Sequence, residues 1–410
     1  MSKVVERFLK YVSIDTKSDG SAPTSPSSQG QWELGAIIEE ELKALGLSDV
    51  HRDDHGFVYG TIASNIDKEV PRLGFLAHMD TSPEFSGKHI KPQIVENYNG
   101  EDVVLNKEKN VVLSIKLFPE LKDYEGKTLI TTDGTTLLGA DDKAGIAEII
   151  TAFEYYINNP EVPHGEIKVI FTPDEEVGVG GVELLDASKL GLDFAYTVDG
   201  GVVGEINYET FNAAGLKVEI FGENIHPGSA KDKMINSMMV ANEYINMLPA
   251  TEVPEHTEVY EGFYHLCDMN GNIEKTTMNF IVRDHSMEKF NERKAYAEKI
   301  GNFLNEKYKK DLVKVTIKDS YSNMAEVIKN HMHLVENAKK AIDMAGVEPK
   351  VIPVRGGTDG ARLSAMGLPT PNLFTGGHNF HGPYEYIVVE SMETAVNSIV
   401  NIIKLYGEQK

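Results

Sequence analysis

The feature that most restricts how this chain can fold is a change of grammar in its middle. Up to about residue 210, short apolar runs alternate with helical patterns. "RLGFLAHMD" and "EIKVIFT" read as buried strands, with "FVYGTIA" and "FAYTVDG" as further ones. "QWELGAIIEEELKALG" and "AGIAEIITAFEYYI" read as helices; in the first, Leu34, Ile37, Ile38, Leu42 and Leu45 recur at helical spacing, with acidic residues opposite. Such alternation predicts an α/β domain around a mostly parallel sheet.

After residue 210 the order differs. Strand "AGLKVEIFG" is followed by helix "AKDKMINSMMVANEYINML" and a hairpin, "GFYHLCDMNGNIEKTTMNFIVRD", expected to turn at Asn270-Gly271. A helix capped by Ser286 and the strand "LVKVTIKDS" complete a β-α-β-β-α-β series, the order of a small ferredoxin-like α+β sandwich. From about residue 325 the first grammar resumes, with a helix over 325–345, a glycine-rich turn region over 355–360, the strand "PNLFT" and a terminal helix over 390–406. The expected organisation is a discontinuous domain, residues 1–210 and 323–410, with residues 211–322 inserted as a second one. A length of 410 residues suits two cores better than one.

Composition narrows the function classes. An apolar fraction of 41% and a charged fraction of 25% are those of a soluble globular chain. No run approaches the ~18 uninterrupted apolar residues of a membrane span. "MSKVVERFLKYVSIDT" reads as an amphipathic helix with Val4, Val5, Phe8, Leu9 and Val12 on one face, not as an export signal. A formal charge of −23 argues against nucleic acid as a partner. Cys267 is the single cysteine, expected as a small buried hydrophobe; it excludes an intrachain disulfide and a cysteine-based zinc cluster, and suits a reducing cytoplasm.

Acidic and imidazole side chains gather at the ends of the expected strands. "AHMDT" closes one with His78 and Asp80; residues two apart face the same way, so Asp80 can fix the His78 ring. "LLGADDKAG" places Asp141 and Asp142 at a helix start, where carboxylates also serve as caps; the spacing to Lys143 and Gly145 favours Asp141. "FTPDEEVGVGG" sets Glu175 and Glu176 side by side at the carboxyl end of a strand, where open α/β sheets bind ligands. Such adjacency does not fit a glycosidase, whose carboxylates flank a bond ~5–9 Å apart. "AYTVDGG" adds Asp199, and "FTGGHNFHGPYEY" adds His378 and His381. Taken singly, each is ordinary loop polarity. Together, two imidazoles and three carboxylates are a set suited to two Zn²⁺, Co²⁺ or Mn²⁺ ions.

The stretches "HMDT", "GADDKAG", "TPDEEVG", "VDGG", "HPGSAKDKMINS" and "HNFHGPYEY" resemble, in order and over essentially the whole chain, the di-metal peptidases related to glutamate carboxypeptidase, aminoacylase and succinyl-diaminopimelate desuccinylase. Within that group the match runs closer to bacterial cytoplasmic aminopeptidases that act on tripeptides. The resemblance implies that His78 and Asp199 bind one metal and Glu176 and His381 the other, with Asp141 bridging and Asp80 orienting His78. It prefers His381 to His378, and makes Glu175 the general base for a metal-bridging water whose pKa two cations would lower from ~15.7 to about 7. In the inserted segment it implies that His226 polarises the substrate carbonyl, in one chain or from a partner subunit. Asn279, Arg283 and Arg355 fall on its substrate-binding positions. The inserted domain would act as a lid and dimerisation element, giving a possible homodimer. Alternatives are a dipeptidase, carboxypeptidase or N-acyl amino acid deacylase of the same family, and a non-catalytic peptide-binding protein; a spare base at Glu175 speaks against the last.

Overall fold

An eight-stranded sheet organises the first of the two units into which the chain divides. The computed structural model describes residues 1–178 and 180–408. The first unit takes Met1–Tyr208, Glu326–Ile352 and the chain from Thr358; the second takes Glu209–Ala325 and Pro353–Gly357. In spatial order the large sheet runs Ser48–Arg52, Val58–Ile62, Ile167–Thr172, Leu73–His78, Phe194–Gly200, Asn372–Phe374, Glu205–Asn207 and Lys350–Val351. Its four middle strands, Ile167–Thr172 to Asn372–Phe374, are mutually parallel, so their carboxyl ends lie along one edge.

Leu73–His78 is buried at every residue because helices cover the sheet. Helix Ala140–Asn158 packs on this strand and on Phe194–Gly200. The approach is close: a Cβ at Gly145 would fall 1.9 Å from the Val198 carbonyl oxygen, so only glycine fits there. That contact brings the helix start, with Asp141 and Asp142, against the strand ends. Phe75 stacks on Tyr196 and meets Phe153 edge-on, joining the two layers. A smaller antiparallel sheet of Gly377–His378, Tyr386–Val388, Leu129–Thr131 and Gln93–Val95 lies in the same unit.

The second unit, taken by itself, is a four-stranded antiparallel sheet in the order Phe263–Gly271, Lys275–Asp284, Asn212–Phe221, Val313–Tyr321. Helices Ser237–Met247 and Met287–Tyr308 cover one face, burying Leu216, Val218, Ile220, Met278, Phe280 and Val282 against Val240, Tyr244, Phe290 and Ile300. Each such aliphatic or Phe side chain contributes roughly 1.5–3 kcal/mol of transfer free energy. Ser286 accepts from the Lys289 N–H and caps the second helix.

Four local expectations shift. The hairpin reverses at 272–275 instead of Asn270-Gly271, because Asn272 Oδ1 takes the N–H groups of Glu274 and Lys275 and mimics a turn. Residues 231–235 stay out of the helix expected there: Ile235 pairs its backbone with Glu223, and Asn236 caps the helix that follows. The helix expected over 325–345 is two, Ala325–Ile328 and His333–Met344, parted where the His331 N–H closes on the Ile328 carbonyl. Cys267 is exposed, since it sits on the sheet's edge strand beyond the part the helices cover. Among the described residues no helix is long and apolar enough to cross a membrane.

Candidate metal centre

His78 ends its strand, and the Met79 N–H still bonds to the Thr172 carbonyl at 2.8 Å, so two parallel strands finish side by side. His78 Nδ1 lies 3.1 Å from the backbone carbonyl of Asp80 and 3.3 Å from Asp80 Oδ1. With Nδ1 so engaged, Nε2 is the atom presented to the centre. Asp80 also reaches the neighbouring strand end. Its Oδ1 accepts the Glu175 N–H at 3.0 Å and its Oδ2 the Glu176 N–H at 3.2 Å. One buried carboxylate therefore orients the imidazole and holds the two glutamates.

Asp141 stands between the two imidazoles. His78 Nε2 is 2.9 Å from its Oδ1, and His381 Nε2 is 3.1 Å from its Oδ2. Asp199 Oδ1 lies 3.5 Å from His78 Nε2, and Glu176 Oε1 lies 3.1 Å from His381 Nε2. Asp142 turns the other way and accepts the His78 backbone N–H through Oδ2 at 3.1 Å. The loop entering Asp141 is gripped by the buried Glu385, which accepts N–H groups from Leu138 at 2.6 Å, Gly139 at 3.0 Å, Ala140 at 2.7 Å and Asp141 at 3.2 Å. Gly139 makes the bend possible with a φ of 78°.

The electrostatics call for positive charge. Burial lifts Glu176 to about 7 with the Asp141 charge adding to it, and lifts Asp199 to about 7 despite the nearby His78. Burial likewise pushes Glu175 well above the usual carboxylate range, with His78 opposing and the charges of Asp359, Asp199 and Glu176 reinforcing. Asp142 is raised by burial and by Asp199. Burial would lower His381, yet its contacts with Asp141 and Glu176 carry it up to about 11. Asp141 is held well below its usual range, because the two imidazoles outweigh its burial.

This donor set fits metal ions. One ligand atom each from His78, Asp142 and Asp199, and one each from His78, Asp141 and Glu176, lie within 4.8 Å of one another. Asp142 Oδ1 and Glu176 Oε1 are buried without a hydrogen-bond partner; the His381 Nε2 close to Glu176 Oε1 is off the line of a hydrogen bond. Orphaned buried carboxylate oxygens are costly unless a cation meets them.

His378 has a different environment. Its ring stacks on Tyr386 at 4.5 Å, Tyr124 meets it edge-on, and its buried Nε2 has no partner. Burial lowers His378 from 6.5 to about 4. The unfolded chain therefore binds a proton here that the folded chain refuses, and stability falls as pH drops from about 6.5 towards about 4. His378→Phe keeps the stack and removes the proton site. We expect urea unfolding of the metal-free proteins to favour this variant over wild type by up to roughly 3 kcal/mol more at pH 4 than at pH 7. Parallel stability curves would reject this reading.

The other residues singled out in the sequence belong to the second unit. His226 is exposed, and its Nδ1 accepts the Gly228 N–H at 3.1 Å, which makes Nε2 the donor of the neutral ring. Asn279 and Arg283 alternate with the buried Met278, Phe280 and Val282, so they occupy the sheet face away from that unit's core. Asn279 Nδ2 donates to Asp268, and Arg283 Nη1 to the carbonyls of Val282 and Ala214. Arg355 donates to the carbonyls of Val259 and Glu261 and to Thr257 Oγ1, over the rings of Phe211 and Phe263.

Several contributors escaped the sequence reading. Glu385 lies inside the quoted "HGPYEY", yet nothing local signals its grip on a loop 244 to 247 positions away. Glu84, whose Oε2 is 3.3 Å from His381 Nδ1, looks like any exposed acid. Asp359, buried and bonded to Thr172 Oγ1 at 2.6 Å, follows a glycine pair that reads as a turn.

Comparison with known proteins agrees with this architecture. The model of peptidase family M20/M25/M40 matches residues 129–405, and the chain belongs to that family. A curated relative from Halothermothrix orenii, named Peptidase T, is 59% identical over 99% of this chain and 100% of its own length. Another of the same name, from Caldanaerobacter subterraneus subsp. tengcongensis, is 58% identical with both chains fully covered. Among solved structures, aminopeptidase PepT from Bacillus cereus superposes with a TM-score of 0.79 at 24% identity, covering 99% of this chain and 98% of that one. A tripeptidase from Staphylococcus aureus gives 0.78 at 23%, with the same coverage.

Proposed function

We propose that the chain is a di-metal aminopeptidase that releases the N-terminal residue from tripeptides. What carries the two-cation reading is Asp141, whose two oxygens face different imidazoles. His78 and Asp199 would hold one ion, Glu176 and His381 the other, with Asp141 shared and Asp80 setting the His78 ring. What supports the tripeptide reading is the name Peptidase T carried by full-length relatives at 58–59% identity, beside a solved tripeptidase of the same fold. The donors are two imidazoles and several carboxylates, a set that accepts Zn²⁺, and also Co²⁺ or Mn²⁺; we assign zinc. Divalent ions held here would lower the pKa of bound water towards about 7 and supply Lewis-acid polarisation of the scissile carbonyl.

The chain's own residues do the rest. Glu175 takes the proton of the attacking water and returns it to the departing amine. Burial and surrounding carboxylates raise its basicity, which offsets the pull that cations exert in the other direction. His226 donates from Nε2 to the developing oxyanion; losing such a donor typically costs ~2.7–4 kcal/mol of barrier. Asn279, Arg283 and Arg355 bind the peptide, and Arg355 also holds the 257–261 loop. We assign the protein to the cytoplasm, which its single cysteine suits. A homodimer would form by pairing one edge of the second unit's sheet, Phe263–Gly271 or Val313–Tyr321, with a second copy.

The test is a length series. Turnover is expected on tripeptides with a free amino end, with little on di- and tetrapeptides and none on acetylated ones. Chelation should abolish it, and zinc, cobalt or manganese should restore it, with about two ions per chain by elemental analysis. Hydrolysis confined to N-acyl amino acids would replace this reading with a deacylase.

A further inference from the structure

The serine-rich stretch over 18–30 reads from composition as a solvated loop, but part of it closes on the residue just before the two glutamates. Asp174 is fully buried and holds a left-handed φ of 53°. Its Oδ2 accepts from Ser25 Oγ at 2.6 Å and from the Ser27 N–H at 2.8 Å. Its Oδ1 accepts from Ser27 Oγ and from Gln31 Nε2, the latter at 2.7 Å. Gln31, also fully buried, returns the contact by accepting the Asp174 N–H through Oε1 at 3.1 Å. Four donors thus meet one carboxylate, and a fifth bond fixes its backbone. On the far side, Asp80 takes the N–H groups of Glu175 and Glu176. The turn is therefore fastened at Asp174 on one side and at the Glu175 and Glu176 N–H groups on the other, and its left-handed residue is the one the N-terminal loop holds.

We propose that Asp174, with Gln31 as its partner, is a positioning residue that sets where the Glu175 and Glu176 carboxylates point. It touches neither imidazole, and it acts through the two glutamates. The inference rests on the roles given to Glu175 and Glu176 above. A left-handed φ carries a modest cost even for Asp, so the contacts around Asp174 help decide whether it is kept. If the clamp loosens, Asp174 relaxes and its two successors rotate with it. Misplacing ligands or a base in this way typically costs about 10–100-fold in metal affinity or activity.

The hydrogen-bond inventory suggests a reciprocal test. In Asp174→Asn the amide NH₂ can take the Oδ1 place, where the Ser27 hydroxyl can rotate to accept but Gln31 Nε2 cannot. Gln31→Glu supplies the missing acceptor while still accepting the Asp174 N–H, and it restores the net charge. Alone, Gln31→Glu sets one carboxylate against another. We expect Asp174→Asn and Gln31→Glu each to lower kcat on a tripeptide by about 10–100-fold with KM within about threefold, and to weaken Co²⁺ binding and alter its visible absorption. The double variant should return to within about threefold of wild type in both kcat and the Co²⁺ spectrum. A role confined to stability would lower the melting temperature without this reciprocity.

A kcat and Co²⁺ spectrum in Asp174→Asn indistinguishable from wild type would overturn the proposal, as would a double variant no better than the worse single one. If a single variant fails to fold, the double variant decides alone, by recovering or not. Wild-type protein inactive on every peptide would remove the base role of Glu175 instead, whereas active wild type with an unaffected Asp174→Asn removes only the clamp.

Discussion

Replacing Glu175 by Gln leaves cation binding intact and lowers kcat on a tripeptide by roughly 10²–10⁴-fold, with KM little changed. The side chains have the same shape, and the backbone N–H that Asp80 accepts from residue 175 survives the substitution. Only proton-accepting capacity is lost. No imidazole nitrogen lies within ion-pair distance of the Glu175 carboxylate among the described residues, whereas Asp199 and Glu176 each have one and Asp141 has two. Elemental analysis beside steady-state kinetics separates the roles. A variant that loses an ion makes Glu175 a ligand, and a variant that turns over normally ends the base assignment.

Asp141→Ala should do more damage by another route. A methyl group in place of the carboxylate removes the one group that faces both His78 and His381. Calorimetric titration of the metal-free variant with Zn²⁺ or Co²⁺ is expected to register at most one site where wild type registers two, and peptide hydrolysis should fall to background. The metal-free protein should also lose stability, by roughly 3–5 kcal/mol if both contacts behave as buried charge pairs. Asp141→Asn, which keeps one acceptor oxygen, should fall between. Retention of two tight sites in the alanine variant would show that the shared ligand lies elsewhere, with Asp142 the next candidate.

Much of this centre was legible one strand at a time. An unbroken apolar run that ends in "HMD" announces a buried strand whose polar residues emerge at its carboxyl end, and His78 and Asp80 are where that argument leads. The same holds for Asp199 after "FAYTV" and for the glutamates after "KVIFT". Choices between near neighbours were harder. Asp141 and Asp142 are chemically alike, and the backbone between them decides: both depart from helical geometry, with Asp141 at ψ 106° and Asp142 at φ −121°, so their carboxylates diverge. His378 and His381 are three residues apart in one loop. His378 is held in a short strand against Tyr386, whereas His381, at φ 66°, turns its ring to Asp141.

Periodicity, capping and strand-end polarity act within a few residues, which is why the sequence by itself determined the change of grammar, the burial of the central strands and the kind of chemistry gathered at their ends. Only the tertiary structure decided which ends meet. Sheet order sets Leu73–His78 between strands that begin more than 90 positions later, and it is this adjacency that draws separate acids and imidazoles into one electrostatic problem. The grips of Glu385 and Asp174 are of the same kind. A buried carboxylate must find donors wherever the fold brings them, and for these two they come from 138–141 and 25–31, segments whose own composition gives no sign of it.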